Sequence, residues 1–249
     1  MPMKTRLSVN VNAVAMLRNR RDLPWPSVTG LSRLALEAGV KGITVHPRPD
    51  ERHIRRQDVR DLAEMIRGDF PAKELCLEGY PDERFLALCE EAKPDQVLFV
   101  PDDPAQTTSD HGWDFEANDA LLRACVKRMK KAGMRVSLFV DPDPAQPAKA
   151  AAVGADRIEI YTGPYGACYD DLEQESARLE EVIETAEAAR KVGLSVNAGH
   201  DLTPDNLPAL IAEVPYIEEV SIGHGFVADA LIYGFAESVK RFQVSMGER

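Results

Sequence analysis

The chain has 249 residues, of which 44% are hydrophobic and 29% charged, a composition typical of a folded globular protein. Its formal charge of −11, from 30 Lys and Arg against 41 Asp and Glu, argues against nucleic acid or an anionic membrane as a general partner. The four cysteines form no C-x-x-C pair and no membrane-length apolar run or signal-peptide core is present, so we expect a cytoplasmic protein without a zinc ribbon or disulfide framework.

Short β-branched segments alternate with longer segments of helical period along the chain, which indicates repeated βα units. In chain order the predicted strands are Leu7–Val11, Gly42–His46, Glu74–Leu77, Gln96–Val100, Arg135–Val140, Arg157–Tyr161, Ser195–Ala198 and Glu219–Ile222. Eight strands close a parallel barrel, so the predicted fold is α/β, a single-domain (β/α)8 TIM barrel with extra helices over residues 1–249. A doubly wound open sheet is the alternative, but its usual G-x-G-x-x-G turn does not follow the first strand.

The helices predicted between the strands follow the 3.6-residue period of apolar positions. They are Ser27–Ala38, Asp58–Ile66, Pro81–Glu91, Asp114–Ala132, Pro144–Val153, Asp171–Val192, Pro204–Ala212 and Ala228–Val244.

Polar side chains are concentrated near the carboxyl ends of the predicted strands and in the loops that follow them, where the active sites of such barrels lie. They are Asn10, Asn12, His46, Arg48, His53, Glu78, Glu159, Thr162, Asn197, His200 and His224. Each histidine alone is more often a structural residue. Together they indicate one shared site at the mouth of the barrel, the end formed by the loops that follow the strands. His46 and Glu78 follow neighbouring strands and could exchange protons with a carbonyl or amine substrate.

Anion binding is the second expected property of this mouth. The glycines beside His200 and His224 suit close backbone approach to a phosphate after strands seven and eight. Arg18, Arg20 and Arg21 offer a second anion site or, equally, a solvated basic loop. His46, His200 and His224 could instead bind zinc or iron, although no H-x-H or H-E-x-x-H spacing favours a metal.

A set of short motifs extends over nearly the whole chain. They are Val9–Asn12, Leu17–Asn19, Gly42–Arg48, Arg52–Ile54, Leu77–Glu78, Lys93–Pro94, Val100–Pro101, Val136–Phe139, Ile158–Ile160, Thr162–Gly163, Val196–His200 and Ile222–His224. In these motifs the chain resembles the pyridoxine 5′-phosphate synthases, the ring-closing enzymes of deoxyxylulose-dependent vitamin B6 synthesis. The resemblance implies condensation of 3-amino-2-oxopropyl phosphate with 1-deoxy-D-xylulose 5-phosphate, without metal or organic cofactor, in a homo-octamer. It also implies helices beyond the basic barrel that make subunit contacts, one of them suggested at Val14–Asn19.

The resemblance also implies roles for individual residues. His46 and Glu78 match proton acceptors, and His200 matches a proton donor. Asn10, Arg21, Gly223 and His224 match contacts to the amino-ketone phosphate, and Arg48, His53 and Thr108 match contacts to deoxyxylulose phosphate.

The chain departs from the family pattern at three positions. Asn12 and Ala13 stand where Asp-His is expected, and Asp201 stands where glycine is expected. Asn12 and Asp201 are nevertheless predicted to bind substrate, and we hypothesise that the synthase reaction is retained. The alternatives are a related barrel isomerase or aldolase acting on another phosphorylated ketose, and a phosphate-ligand binding protein without turnover.

Overall fold

The fold is a closed barrel of eight parallel strands, seen in a computed structural model that describes residues 4–103, 106 and 108–247. Each strand pairs with its sequence neighbours, and β8 closes the barrel on β1. The strands are β1 Arg6–Asn10, β2 Gly42–Val45, β3 Glu74–Gly79, β4 Gln96–Phe99, β5 Arg135–Val140, β6 Arg157–Tyr161, β7 Ser195–Gly199 and β8 Ile217–Ile222. The predicted barrel is therefore confirmed, with strand ends that differ by one or two residues.

Helices surround the barrel. They are α1 Asn12–Arg18, α2 Val28–Ala38, α3 Arg56–Asp69, α4 Glu83–Ala92, α5 Phe115–Lys131, α6 Gln146–Ala152, α7 Gly163–Gly166, α8 Leu172–Lys191, α9 Leu207–Glu213, α10 His224–Tyr233 and α11 Phe235–Ser245. The prediction of one helix over Ala228–Val244 is wrong. Gly234 has a φ of 85°, a left-handed backbone that separates α10 from α11. The single turn α7 was not predicted, whereas α1 confirms the suggested extra helix.

Alternate strand residues pack on opposite sides of the barrel wall. Val97 and Phe99 of β4 belong to the large core between the strands and the helices. Leu98 of the same strand belongs to a small separate cluster with Cys76, Val100 and Phe139, against which Tyr161 packs. By this alternation the small cluster lies inside the barrel. No helix among the described residues is both long and apolar enough to cross a membrane.

The base of the barrel, at the amino ends of the strands, is held by charges. Glu74 at the start of β3 contacts Arg135 at 2.5 Å, Lys41 at 3.3 Å and Arg6 at 3.6 Å. Further inside, the nearly buried Arg157 forms an ion pair with Glu218. The same guanidinium donates to Gln96 and Asn197, each at 3.2 Å. These ion pairs and hydrogen bonds compensate the cost of burying charged groups. The active sites of such barrels lie at the opposite end, at the carboxyl ends of the strands.

Candidate active site

The three residues predicted to be catalytic lie at the same end of the barrel. His46 directly follows β2, Glu78 lies near the end of β3, and His200 directly follows β7. His46 Nδ1 is 4.0 Å from Glu78 Oε2. His200 also contributes, as the smallest cause, to the lowered pKa of His46. The structure therefore brings His46 and Glu78 together and places His200 at the same end of the barrel.

Two asparagines connect His46 to Glu78. Asn10 Nδ2 donates to Glu78 Oε2 at 3.2 Å, and Asn10 Oδ1 accepts from the backbone N–H of Asn12 at 2.9 Å. Asn12 Oδ1 then accepts from the backbone N–H of His46 at 2.9 Å. A Cβ at Gly223 would lie 3.3 Å from the Asn10 side chain, so glycine lets the end of β8 approach closely. Asn12 thus holds the backbone that carries His46.

His46 and Glu78 are a neutral pair rather than an ion pair. Burial, followed by the charge of Arg48, holds the pKa of His46 well below its usual value. Burial, followed by the charge of Asp102, raises the pKa of Glu78 to about 8. At neutral pH the imidazole is therefore a free base and the carboxyl is largely protonated. This is the protonation state of a base next to an acid.

His200 is held in a constrained turn. Its φ is 84° and that of Asp201 is 55°, two consecutive left-handed residues without glycine. The Thr162 hydroxyl donates to the His200 carbonyl at 2.6 Å. The imidazole contacts the rings of Phe139 and Tyr161, with centroids 5.3 and 5.2 Å away. Burial lowers the pKa of His200, so the constrained turn presents another neutral imidazole.

The short helix α7 explains how this turn is supported. A Cβ at Gly166 would lie 2.4 Å from the Asp201 carbonyl oxygen, so only glycine allows α7 to pack against the turn. Asn206 Nδ2 also donates to that carbonyl at 3.0 Å. The Asp201 side chain itself is exposed, which leaves its contact with substrate a prediction.

Two of the residues predicted to bind deoxyxylulose phosphate are buried at the mouth. Arg48 is 3% exposed, and its Nη2 lies 2.5 Å from Asp102 Oδ2. His53 Nδ1 accepts from the backbone N–H of Ile54 at 2.9 Å, and burial lowers the pKa of His53 to about 4. The ring of His53 lies 6.1 Å from that of His46, measured between centroids. Thr108 is exposed in the loop after β4.

The arginines at the end of α1 and directly after it differ in their exposure and in their ion pairing. Arg18 does not provide the suggested anion contact, because it is paired with Asp58 and its Nη2 donates to the His53 carbonyl at 3.2 Å. Arg21 is exposed, as is His224 at the start of α10. Nearby is a cavity of about 290 Å³ lined by Met16, Asn19, Arg20 and Arg52. Arg20 and Arg52 therefore place positive charge beside an open volume.

Two acidic residues to which the sequence assigned no role extend the site. Glu159 on β6 is buried, and burial together with the charge of Glu78 holds its pKa well above the usual value. A Cβ at Gly199 would lie 2.6 Å from Glu159 Oε1, so the glycine that ends β7 makes room for this carboxyl. Asp102, in the loop after β4, lies 3.9 Å from His46 Nε2 through its Oδ2. Glu159 was among the polar residues predicted near the strand ends, but no sequence pattern marks Asp102.

Metal ligation is not suggested by the described part of the chain. Within residues 4–103, 106 and 108–247, no three His, Cys, Asp or Glu side chains are grouped in a way that could hold an ion.

Fold and site together define a class: a (β/α)8-barrel enzyme with paired neutral acid and base groups at the carboxyl ends of its strands. The chain belongs to the family described as pyridoxal phosphate biosynthesis protein PdxJ, whose sequence model matches residues 7–248.

Relatives agree with this assignment over their whole length. The chain is 60% identical to a pyridoxine 5′-phosphate synthase of Chelativorans sp. (strain BNC1), over 96% of this chain and 98% of the relative. It is 59% identical to the enzyme of the same name from Rhizobium meliloti (strain 1021), over 99% of both chains.

Solved structures of distant sequence share the barrel. A phosphoribosyl anthranilate isomerase from Thermus thermophilus superposes with a TM-score of 0.60 at 15% identity, over 98% of both chains. The isomerase of the same name from Thermotoga maritima gives a TM-score of 0.61, also at 15% identity and 98% coverage of both chains. At this identity the likeness supports the fold alone.

Proposed function

We propose that the chain is an enzyme that condenses 3-amino-2-oxopropyl phosphate with 1-deoxy-D-xylulose 5-phosphate to form pyridoxine 5′-phosphate, inorganic phosphate and water. Membership of the PdxJ family and the names of relatives at about 60% identity support the reaction. The single structural observation that carries it is the neutral His46 at 4.0 Å from the protonated Glu78, inside one barrel mouth.

The chemistry of this condensation requires repeated proton transfer. An amine adds to a ketone, water leaves, phosphate is eliminated and a carbon–carbon bond closes the ring. In our proposal His46 begins as the base, since its imidazole is neutral at neutral pH. Glu78 begins as the acid and becomes a proton acceptor once it has donated. The neutral imidazole of His200 gains a proton from substrate or solvent before it donates to a leaving oxygen.

The two phosphates need cationic or backbone partners in a chain of net negative charge. We assign Arg48, His53 and Thr108 to deoxyxylulose phosphate. We assign Asn10, Arg21, Gly223 and His224 to the amino-ketone phosphate, since α10 begins at His224, directly after the carboxyl end of β8. Asn12 and Asp201 complete the proposed binding positions. Metal and organic cofactors have no role in this proposal.

We also propose a cytoplasmic homo-oligomer, an octamer by the family resemblance. Large apolar side chains are exposed on two contacting helices, α1 and α10. Leu231 and Ile232 near the end of α10 are 78% and 75% exposed, and Leu17 on α1 is 58% exposed. Exposed large apolar side chains on neighbouring helices are typical of a subunit interface.

The proposed reaction is tested with purified protein and both substrates. We expect pyridoxine 5′-phosphate by chromatography and one inorganic phosphate released per product. Glu78→Gln should abolish turnover while it leaves substrate binding by calorimetry largely intact. Phosphate release from a different ketose phosphate, without pyridoxine phosphate from the proposed pair, would instead support an isomerase or aldolase. Binding without any turnover would support a non-catalytic ligand-binding protein.

A further inference from the structure

Asp102 occupies a central position in the mouth although no sequence pattern marked it. Its Oδ2 accepts from Arg48 Nη2 at 2.5 Å and from the Ser109 hydroxyl at 2.8 Å. The same oxygen lies 3.9 Å from His46 Nε2. We propose that Asp102 contacts substrate: Oδ2 holds Arg48 and Ser109, and Oδ1 accepts a hydrogen bond from a hydroxyl of the phosphorylated ketose. This inference rests on the proposed function and adds a specificity residue to it.

Asp102 Oδ1 is a buried acceptor without a donor among the described residues. Asp102 is 6% exposed, and among the residues that the structure describes none donates a hydrogen bond to its buried Oδ1. A buried carboxylate oxygen without a donor is costly, and native proteins rarely retain one without a reason. A carboxylate can only accept, so the missing partner must be a donor such as a hydroxyl.

The position of Arg48 determines which substrate supplies that donor. Arg48 is 3% exposed and is held by Asp102, so the two side chains act as one unit at the mouth. Arg48 is assigned to deoxyxylulose phosphate, which carries hydroxyl groups. The other substrate offers an amine as a donor, but its proposed contacts do not include Arg48. The hydroxyl-bearing ketose is therefore the substrate that fits both Arg48 and Oδ1.

Asn12 is a poorer acceptor than Asp102 for this hydroxyl. Asn12 presents an amide rather than a carboxylate, and its Oδ1 is already bonded to the His46 backbone at 2.9 Å. Glu78 and Asp102 are the carboxyl groups that approach the His46 ring, at 4.0 and 3.9 Å. Burial raises the pKa of both carboxyls, but Asp102 is paired with Arg48 at 2.5 Å, and this cation favours its ionised form as the acceptor for a hydroxyl.

The loop that carries Asp102 makes two further hydrogen bonds, one to the loop after β2 and one to β4. Arg52 Nη1 donates to the Gln106 carbonyl at 2.8 Å. The indole of Trp113 donates to the Phe99 carbonyl at 2.8 Å, which anchors the far end of the loop to β4. Together with the contacts of Asp102 Oδ2 to Arg48 and Ser109, these bonds position the Asp102 carboxyl, a property expected of a residue that selects substrate.

The test compares Asp102→Asn with Asp103→Asn, which removes a charge from the neighbouring exposed position of the same loop. Losing a charge-assisted hydrogen bond should raise the KM for deoxyxylulose phosphate about 10-fold or more, while the KM for the amino-ketone phosphate changes less than about 2-fold. Asp102→Glu should recover part of the loss. Because the Asp102 charge helps raise the pKa of Glu78, the Glu78 limb of the pH–rate profile should move to lower pH. Asp103→Asn should change neither KM nor profile.

Several outcomes separate this inference from the proposed function. An active wild-type enzyme whose Asp102→Asn variant keeps both KM values and the pH profile would overturn the role of Asp102 alone. An equal rise in both KM values would also overturn it. A wild-type enzyme that makes no pyridoxine phosphate would overturn the function and this inference with it. If Asp102→Asn does not fold, Ser109→Ala provides the second test, since it removes one contact to Oδ2 and should raise the same single KM.

Discussion

The buried Glu78 gives a stability test that is independent of any substrate. Its pKa rises from 4.5 in the usual environment to about 8 in the folded chain, first through burial and then through Asp102. Between these values the folded protein binds a proton that the unfolded chain has released. The free energy of unfolding therefore falls as pH rises through this window, and the loss is complete above about pH 8.

The size of this change in unfolding free energy follows from the difference between the two pKa values of Glu78. The interval from 4.5 to about 8 at 1.36 kcal/mol per pH unit gives an upper limit of about 5 kcal/mol. Glu78→Gln removes the titration while it keeps the shape and an oxygen that can accept from Asn10. We expect the variant to exceed the wild type in Tm on the order of 10 °C at pH 9, and to differ little at pH 5.

Differential scanning calorimetry between pH 5 and pH 9 measures this difference. Glu64→Gln on the exposed surface of α3 is the matched control, and its Tm difference from wild type should not change with pH. A Glu78→Gln difference that is equal at pH 5 and pH 9, or that shrinks toward alkaline pH, would show that Glu78 is ionised in the folded protein at neutral pH.

Three further predictions concern the surroundings of the site. Asn12→Ala should lower kcat/KM about 10-fold, because it frees the His46 backbone and removes a proposed substrate contact, while Asn12→Asp keeps the acceptor and most of the rate; equal losses in both variants in steady-state assays would contradict this. Asp201→Asn should lower the pKa of His200 further, since the Asp201 charge opposes the effect of burial; an NMR titration that shows a higher pKa would refute it. Leu231→Asp should reduce the mass measured by sedimentation at unchanged helix content, because Leu231 is 78% exposed on the proposed interface; an unchanged mass would exclude that face.

The sequence predicted the barrel because its signals are local. Each strand is a short β-branched run, and the placement of polar residues after the strands located His46, Glu78 and His200 in one mouth. The break between α10 and α11 escaped prediction, since the apolar period continues across Gly234 and only its φ of 85° reveals the interruption. Apolar periodicity reports burial, not the direction of the backbone.

Partners distant in sequence were the other source of error. Arg18 looked like an anion contact, but Asp58 neutralises it from another helix. Asp102 is one acidic residue in a loop, and its importance arises only when the loops after β2 and β4 meet at Arg48. The protonation of Glu78 likewise depends on burial and on Asp102. None of these pairings has a spacing that a single sequence can show.

The charged base described for the barrel has an implication for its tolerance of acid and alkali. Burial raises the pKa of Glu74, but Arg135 and neighbouring cations outweigh it and the net pKa is lowered. Glu74 therefore stabilises the fold above its usual pKa, and that contribution disappears as pH falls through the lowered value. Glu78 behaves in the opposite sense. Acid therefore destabilises the end of the barrel that carries Glu74, and alkali destabilises the end that carries Glu78. These two groups allow the highest free energy of unfolding between those pH ranges.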